Sequence, residues 1–262
     1  MSTRTENWKP LDFHCPYECT YCPESEVEYS ETPRLRKGWM DIPHYHAIWV
    51  CPDTDLFSDE VPSSLIESIL KRASQYPSKG YVFSTRNVKR YSEFLDKFPP
   101  WTYLSTTVVS DIDYGCSKAP PLMVRLEELK ELKYALGIKR HGRFETCIAI
   151  KPIMKFTDKF VDIIRHAMPD QVSIGKEIMG IKDFPTPPFR EVLTLAKKLL
   201  AFTEVNMHSY HISKDTRLKD WPDRSKGPPD RFEVKDRRYL HAAYQVPEGE
   251  HIKPKKNPIK QE

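Results

Sequence analysis

Residues 144–174, FETCIAIKPIMKFTDKFVDIIRHAMPDQVSI, decide the fold class of this chain. The apolar run 144–150 predicts a buried strand, apolar residues at helical spacing over 160–167 predict a helix, and 171–174 predict a second strand. A strand, a helix and a strand in this order form a unit whose two strands are parallel. This stretch therefore predicts an α/β protein.

The same alternation continues on both sides of this unit. Strands are predicted at 46–51, 81–85, 102–109 and 204–207. One helix is predicted to begin within 61–66, and others to cover about 91–98, 122–136 and 189–202. Ser63 or Ser64 is expected to cap the first of these helices. Six or seven such units predict a full or partial α/β barrel of the (β/α)6 type, whose functional groups lie at the carboxyl ends of its strands.

The composition is that of an ordinary globular protein. With 262 residues, of which 39% are hydrophobic and 30% charged, the chain can bury one large core, and it contains no apolar run of the roughly 20 residues that a membrane span needs. The polar N-terminus lacks a secretory signal, so we expect no membrane association and a reducing, cytoplasmic location. The cysteines should then be free or bound to metal.

A change of composition predicts two regions, a barrel domain over 1–211 and a polar, Pro- and Lys-rich extension over 212–262. The lysines gathered near the end of the extension could meet a polyanion or remain solvated. The net charge of +4 is far below that of a dedicated nucleic-acid binder. No G-x-G-x-x-G or Walker A loop follows a predicted strand, which argues against dinucleotide and triphosphate sites.

Three cysteines stand close together before the strand at 46–51. Cys15, Cys19 and Cys22 have C-x3-C-x2-C spacing, and three thiols within eight residues indicate a metal site. Structural zinc takes four protein ligands, and no fourth cysteine or histidine pair stands at the spacing of a zinc finger, although His14 is adjacent. A four-iron four-sulfur ([4Fe-4S]) cluster held by three thiolates leaves one iron open.

This motif, with an aromatic residue before its third cysteine, resembles the radical S-adenosylmethionine (SAM) superfamily, whose fold is a full or partial α/β barrel. The resemblance implies that Cys15, Cys19 and Cys22 hold a [4Fe-4S] cluster. It also implies that the open iron binds SAM and that an electron from the cluster cleaves SAM to a 5′-deoxyadenosyl radical. An external donor of the flavodoxin or ferredoxin type would supply this electron.

Downstream segments resemble the branch that contains spore photoproduct lyase and related phage-type proteins. The resembling segments are CPDTDLF at 51–57, STR at 84–86, YLS at 103–105, RLE at 125–127 and IKPI at 150–153. The resemblance implies that Asp53 or Asp55 receives the SAM ammonium, and that Arg86, Ser105 and Arg125 contribute to SAM binding. It also implies that Cys51 donates hydrogen to a product radical.

Each of these residues has a structural alternative. Either aspartate could cap a loop, Arg125 could form an ion pair on a helix, and Cys51 could be a small core residue. Cys147 is expected in the core and Cys116 in an accessible loop, whereas His208 and His211 could be an acid or base or simply structural. Pro23, after the third cysteine, departs from the tyrosine that is common in that branch.

Two classes of function remain at this stage. The first is a radical SAM enzyme that modifies or repairs a substrate, which could be a nucleic acid, a peptide or a small metabolite. The second is a non-catalytic module that binds zinc or an iron–sulfur cluster. The metal that the cysteines bind distinguishes the enzyme from a zinc module, and SAM cleavage distinguishes it from a non-catalytic iron–sulfur module.

Overall fold

A computed structural model describes residues 5–138, 143–175 and 184–208. Its strands are β1 (Thr5–Trp8), β2 (Leu11–Asp12), β3 (Arg34–Leu35), β4 (Ala47–Val50), β5 (Gly80–Thr85), β6 (Trp101–Val108), β7 (Arg143–Ile150), β8 (Gln171–Gly175) and β9 (Glu204–His208). Its helices are α1 (Ser63–Ser74), the 3-10 helix Val88–Phe94, α2 (Leu122–Ile138), α3 (Phe160–Ala167) and α4 (Phe189–Leu199). The predicted α/β class is confirmed.

Seven strands form one parallel sheet in the order β1-β4-β5-β6-β7-β8-β9, and β2 pairs with β3 in a small antiparallel ribbon. Strands that follow one another in the sheet are neighbours, and every pair is parallel. Each connection therefore crosses back to the edge at which the strands begin. The pairings within the described ranges join neighbouring strands from β1 to β9, and none joins β1 to β9. All seven carboxyl ends therefore meet along one edge of the sheet.

Both faces of the sheet are buried, as is usual for parallel strands. One face packs against the helices, and its core includes Ile48, Phe83 and Ile148. The other face carries a smaller apolar cluster that includes Val82, Tyr103 and Ala149. Successive side chains of a strand point to opposite faces, so one set of strands serves both layers.

Several boundaries and one cap differ from the predictions. The helix predicted around 91–98 is a 3-10 helix over Val88–Phe94, and α4 ends at Leu199. The cap predicted for α1 is wrong: Pro62 occupies the cap position, and no side chain caps the helix. Proline is tolerated there because a residue at the cap position donates no hydrogen bond within the helix, so its missing N–H costs nothing.

The first strand was not predicted from the sequence. β1 is polar and four residues long, and it gains its order by pairing with β4 at the edge of the sheet. Within the described residues no helix is both long and apolar enough to cross a bilayer. The predicted extension over 212–262, and with it the boundary at 211, lies outside the described residues.

Candidate active site at the carboxyl ends of the strands

A cavity of about 270 Å³ opens at the carboxyl ends of the strands. It is lined by the cysteine-bearing loop between β2 and β3 and by residues at or just after the ends of β4, β5, β6 and β7. Seven of the nine residues to which the sequence gives a site role line it: Cys15, Cys19, Cys22, Cys51, Asp53, Asp55 and Arg86. The tertiary structure thus brings together residues that are separated by up to 71 positions in the chain.

The three cysteines lie on one loop, and backbone hydrogen bonds hold this loop in shape. The Cys22 amide donates to the Cys19 carbonyl at 2.8 Å, and Glu18 has a left-handed φ of 42°. The loop over 116–118, which follows β6, fastens it from outside. The Thr20 amide donates to the Cys116 carbonyl at 2.9 Å, and the Lys118 amide donates to the Tyr17 carbonyl at 2.8 Å. The loop is therefore supported from two parts of the chain.

The thiols are sheltered from solvent. Cys19 is buried, and Cys15 and Cys22 are partly buried. Burial raises the pKa of Cys15 to about 12, and it also raises the pKa of Cys22. A bound metal replaces the thiol proton and supplies the positive charge that a buried thiolate needs. No three Cys, His, Asp or Glu side chains in the described ranges are arranged to hold a single metal ion.

Asp53 is a buried carboxylate with one oxygen engaged and one open. Its side chain has no solvent exposure, and Arg36 Nη2 donates to its Oδ2 at 2.8 Å. Lys9 Nζ lies 3.6 Å from the same oxygen. The other oxygen, Oδ1, has no hydrogen-bond partner within the described part of the chain. Burial raises the pKa of Asp53, although Lys9 and Arg36 act in the opposite direction.

Asp55 differs because its carboxylate is already engaged by the protein. The Phe57 amide and the Thr85 hydroxyl donate to Oδ1 at 3.0 and 2.7 Å, and the Arg86 amide donates to Oδ2 at 2.7 Å. Asp55 therefore caps its own loop and ties this loop to the end of β5. Loop capping was the alternative role that the sequence allowed for either aspartate.

Replacement of Asp55 by alanine is expected to lower the free energy of unfolding by about 2–5 kcal/mol, because it leaves two buried backbone N–H groups without acceptors. Urea unfolding measures this change. The matched variant Asp12→Asn alters a carboxylate on the β2–β3 ribbon that pairs with the exposed Arg34, and it should cost less than about 1 kcal/mol. Equal losses in the two variants would contradict the anchoring role of Asp55.

Arg86 reaches the cysteine loop from the end of β5. Its Nη2 donates to the Tyr21 hydroxyl at 2.5 Å, and its guanidinium carbon lies 5.5 Å from the centre of the Tyr21 ring. Tyr21 is the aromatic residue between the second and third cysteines. Arg86 thus links the cysteine loop to the sheet and also lines the cavity.

Ser105 and Arg125 do not line the cavity. Ser105 is fully buried in β6, and the alternation of the strand places it on the same face as the lining residue Thr107, one step deeper. Arg125 donates from Nε to the Pro120 carbonyl at 2.8 Å and from Nη1 to the Thr107 carbonyl. Arg125 therefore joins the start of α2 to the end of β6.

The remaining cysteines fall in different surroundings. Cys51 lines the cavity but is only 3% exposed, and burial raises the pKa of its thiol well above the usual value. Cys147 is in the core, as predicted. The expectation that Cys116 is accessible is wrong, because it is 8% exposed and packs against the cysteine loop. His208 ends β9 without a described side chain, and His211 lies outside the described residues.

Two further residues of the site were given no role from the sequence. The Ser117 hydroxyl lies 3.1 Å from Cys19 Sγ, a contact across 98 residues that leaves no signal in the sequence. Lys151 lines the cavity after β7. The sequence could have indicated a role for Lys151, because a charged residue directly after the apolar strand predicted at 144–150 lies at the edge where parallel sheets bind ligands.

The fold and the site together define an α/β protein with a parallel sheet and a cysteine-lined cavity at the carboxyl ends of its strands. No family model matches the chain, and no curated protein matches its sequence. Similar solved structures include a spore photoproduct lyase mutant with dinucleoside spore photoproduct, at 10% identity and a TM-score of 0.48, covering 64% of this chain and 55% of that one.

A second spore photoproduct lyase mutant, with bound AdoMet and dinucleoside spore photoproduct, is similar at 9% identity and a TM-score of 0.47, covering 65% of this chain and 56% of that one. An HMG-CoA lyase from Brucella melitensis is similar at 14% identity and a TM-score of 0.40, covering 63% of this chain and 59% of that one. The chain thus matches less than two thirds of each of these structures, and the likeness is one of fold.

Proposed function

We propose that this chain is a radical SAM enzyme with a [4Fe-4S] cluster on Cys15, Cys19 and Cys22. One observation carries the proposal: the three cysteines of the C-x3-C-x2-C loop line the same cavity as Asp53 and Arg86, at the carboxyl ends of parallel strands. That edge is where α/β proteins bind ligands. The sequence resemblance to the superfamily, stated above, supports the same conclusion.

The donor set fits such a cluster. Thiolates are its usual ligands, and each binds a different iron, so three sulfur atoms on one loop need not meet at one point. Three protein ligands leave one iron for a cofactor. When bound, the reduced cluster supplies the electron that cleaves SAM to a 5′-deoxyadenosyl radical, and an external flavodoxin- or ferredoxin-type donor is proposed to reduce it. The protein supplies the shelter: Tyr17 and Met154 are buried beside the cysteines.

The charged residues of the cavity have distinct roles in this proposal. Asp53 accepts the SAM ammonium on its open Oδ1, because Asp55 is already engaged by three donors. Arg86 holds the SAM carboxylate with the nitrogens that Tyr21 does not use. Arg125 positions Thr107 rather than touching SAM, and Ser105 supports the floor of the cavity.

Anaerobic reconstitution with iron and sulfide, followed by reduction with dithionite and an assay for 5′-deoxyadenosine, tests the proposal. The triple alanine variant of Cys15, Cys19 and Cys22 is the control. The nucleoside should appear only with the cysteines intact. A colourless protein that binds one zinc and forms no cluster would contradict the proposal and favour the binding module.

The Ser117 hydroxyl is expected to tune the cluster. A thiolate bound to iron can only accept a hydrogen bond, so Ser117 becomes the donor to Cys19 Sγ across the 3.1 Å contact. Hydrogen bonds to cluster sulfurs favour the reduced state. Replacement of Ser117 by alanine should therefore shift the midpoint potential of the cluster to more negative values, as measured by a redox titration followed by electron paramagnetic resonance.

Ser117→Thr, which keeps the hydroxyl, should restore the potential. Ser25→Ala is the matched control, because Ser25 Oγ donates to the Cys22 carbonyl rather than to sulfur. An unchanged potential in Ser117→Ala, with a full complement of iron, would argue against the tuning role.

Cys51 is proposed as a hydrogen donor to a substrate radical. Burial keeps its thiol protonated, which is the form that can give up a hydrogen atom. Cys51→Ala should leave the rate of SAM cleavage within about twofold and change the product or its isotope incorporation once a substrate is known, because the change removes the S–H but no proposed SAM contact. Product analysis by mass spectrometry checks this, and an unaltered product would remove Cys51 from the mechanism.

Nucleic acid is the proposed substrate class, with a peptide or a small metabolite as the alternatives. The support is the sequence resemblance to the branch that contains spore photoproduct lyase, together with the cluster of lysines near residue 262. Binding to a nucleic acid should weaken steeply with salt, because phosphate contacts release counterions. Affinity for single-stranded and duplex DNA that does not change with salt would contradict this substrate class.

A further inference from the structure

Lys151 is a cation that the fold directs into the cavity. It follows β7 directly and lines the cavity together with Thr107 and Ala149. Its aliphatic stem lies across the last residue of β8. A Cβ atom at Gly175 would stand 3.1 Å from Lys151 Cγ and 3.2 Å from its Cδ, so the stem occupies space that only a residue without a side chain leaves free.

The charge of Lys151 is not neutralised within the part of the chain that the structure describes. No acidic side chain there lies within ion-pair distance of Lys151, and burial lowers the pKa of its amine. Arg86, the other cation of the cavity wall, differs because it donates to Tyr21. A partly buried ammonium without a counter-ion costs free energy that a bound anion would recover.

The position of Lys151 separates it from the proposed SAM contacts. β4 and β5 carry Asp53 and Arg86 at their ends, and β7 lies two strands beyond β5. At the usual strand spacing this is about 10 Å along the sheet from β5 and about 14 Å from β4. The ammonium and carboxylate of SAM are borne by the same carbon atom, so the neighbouring residues Asp53 and Arg86 can hold both. Lys151 then faces a different ligand.

We propose that Lys151 forms a subsite for a phosphate group of the substrate. A lysine presents a compact point charge with three donors that can turn toward a tetrahedral phosphate, whereas a planar carboxylate is better matched by an arginine. The phosphate can come from a nucleic-acid backbone or from a phosphorylated small molecule. The inference rests on the proposed function in one respect only, which is that SAM occupies the part of the cavity near Asp53.

The test compares Lys151→Met with the wild-type chain by isothermal titration. Methionine keeps an unbranched stem over Gly175 and removes the charge. The probes are inorganic phosphate, a nucleoside 5′-monophosphate and a single-stranded oligonucleotide. The variant should bind one or more of them about 10- to 100-fold more weakly, which corresponds to the loss of one charge-assisted hydrogen bond. Lys151→Arg should retain most of the affinity, and Lys155→Met, at an exposed residue, is the matched control.

The pattern over the probes identifies the source of the phosphate. Weaker binding of the oligonucleotide alone assigns the subsite to a nucleic-acid backbone, and weaker binding of the monophosphate or of inorganic phosphate assigns it to a small phosphate ester. Unchanged binding of all three probes would overturn the proposal, as would a loss confined to SAM. Unfolding midpoints establish that Lys151→Met is folded, and Lys151→Gln, which also removes the charge, is the second variant if it is not.

The titrations are made with and without reconstituted iron and sulfide, which separates this inference from the proposed function. Phosphate binding that depends on Lys151 in a protein that forms no cluster would retain the subsite and refute the radical SAM proposal. Cluster formation and SAM cleavage without any contribution of Lys151 to phosphate binding would support the radical SAM proposal and refute the subsite.

Discussion

Cys19→Ala is expected to abolish the cleavage of SAM, reducing 5′-deoxyadenosine formation by at least about 100-fold, to the background of the triple variant. Cys19 is the most buried of the three proposed ligands, and its sulfur is the one that contacts Ser117. Alanine removes one of three thiolates, and a cluster that needs three protein ligands cannot assemble stably on two. Iron and sulfide content and the visible absorption spectrum should fall in parallel.

Cys147→Ala is the matched control for this experiment. Cys147 is buried in β7 and does not line the cavity, so its loss removes a thiol from the core but none from the site. The control should keep its cluster and its activity. Retained cleavage in Cys19→Ala would exclude Cys19 as a ligand, and loss of the cluster in both variants would indicate a general folding defect.

Asp53→Asn should weaken SAM binding by about 10- to 100-fold, the cost of one charge-assisted hydrogen bond in a sheltered site. The amide has the same shape as the carboxylate but lacks its charge. Its nitrogen is a hydrogen-bond donor only, so it cannot accept a hydrogen bond from an ammonium. Asp53 has no solvent exposure and keeps Oδ1 free of partners within the described residues, so the substitution acts on a preformed acceptor. Equilibrium binding of SAM to the reconstituted protein measures the effect.

Two controls isolate this contribution of Asp53. Asp12→Asn alters a carboxylate of the β2–β3 ribbon that does not line the cavity, and it should leave the SAM dissociation constant unchanged. Arg36→Gln removes one donor to Asp53 Oδ2 while leaving Oδ1 in place, so it should have a smaller effect than Asp53→Asn. An affinity that survives Asp53→Asn would assign the ammonium to another group.

Much of the fold could be predicted from local patterns. Helix α3 begins and ends at the predicted residues, and strands β5 to β9 lie within two residues of their predicted bounds. These strands keep apolar residues at alternate positions for the face that packs against the helices, as Val172 and Ile174 do in β8 and Val205 and Met207 do in β9. The short polar strand β1 and the β2–β3 ribbon have no such pattern, since their order depends on partners elsewhere in the chain.

The missed strand changes how the cysteine motif is placed. In the sequence, Cys15 to Cys22 precede the predicted strand at 46–51, and nothing local attaches them to the sheet. In the structure, β1 pairs with β4, and the motif becomes part of a loop between two strands of the sheet. The loop therefore opens at the carboxyl edge, where the other residues of the cavity end.

The sequence by itself determined the α/β class and drew attention to the three closely spaced cysteines, because strand alternation and thiol spacing are local patterns. Only the tertiary structure distinguished Asp53 from Asp55, removed Arg125 from the cavity wall, and brought Ser117 and Lys151 to the site. Two aspartates separated by one residue look alike in a sequence. What separates them is which oxygen atoms the folded chain leaves without donors, and that depends on contacts with distant residues, such as those of Asp55 with Thr85 and Arg86, 30 and 31 positions away.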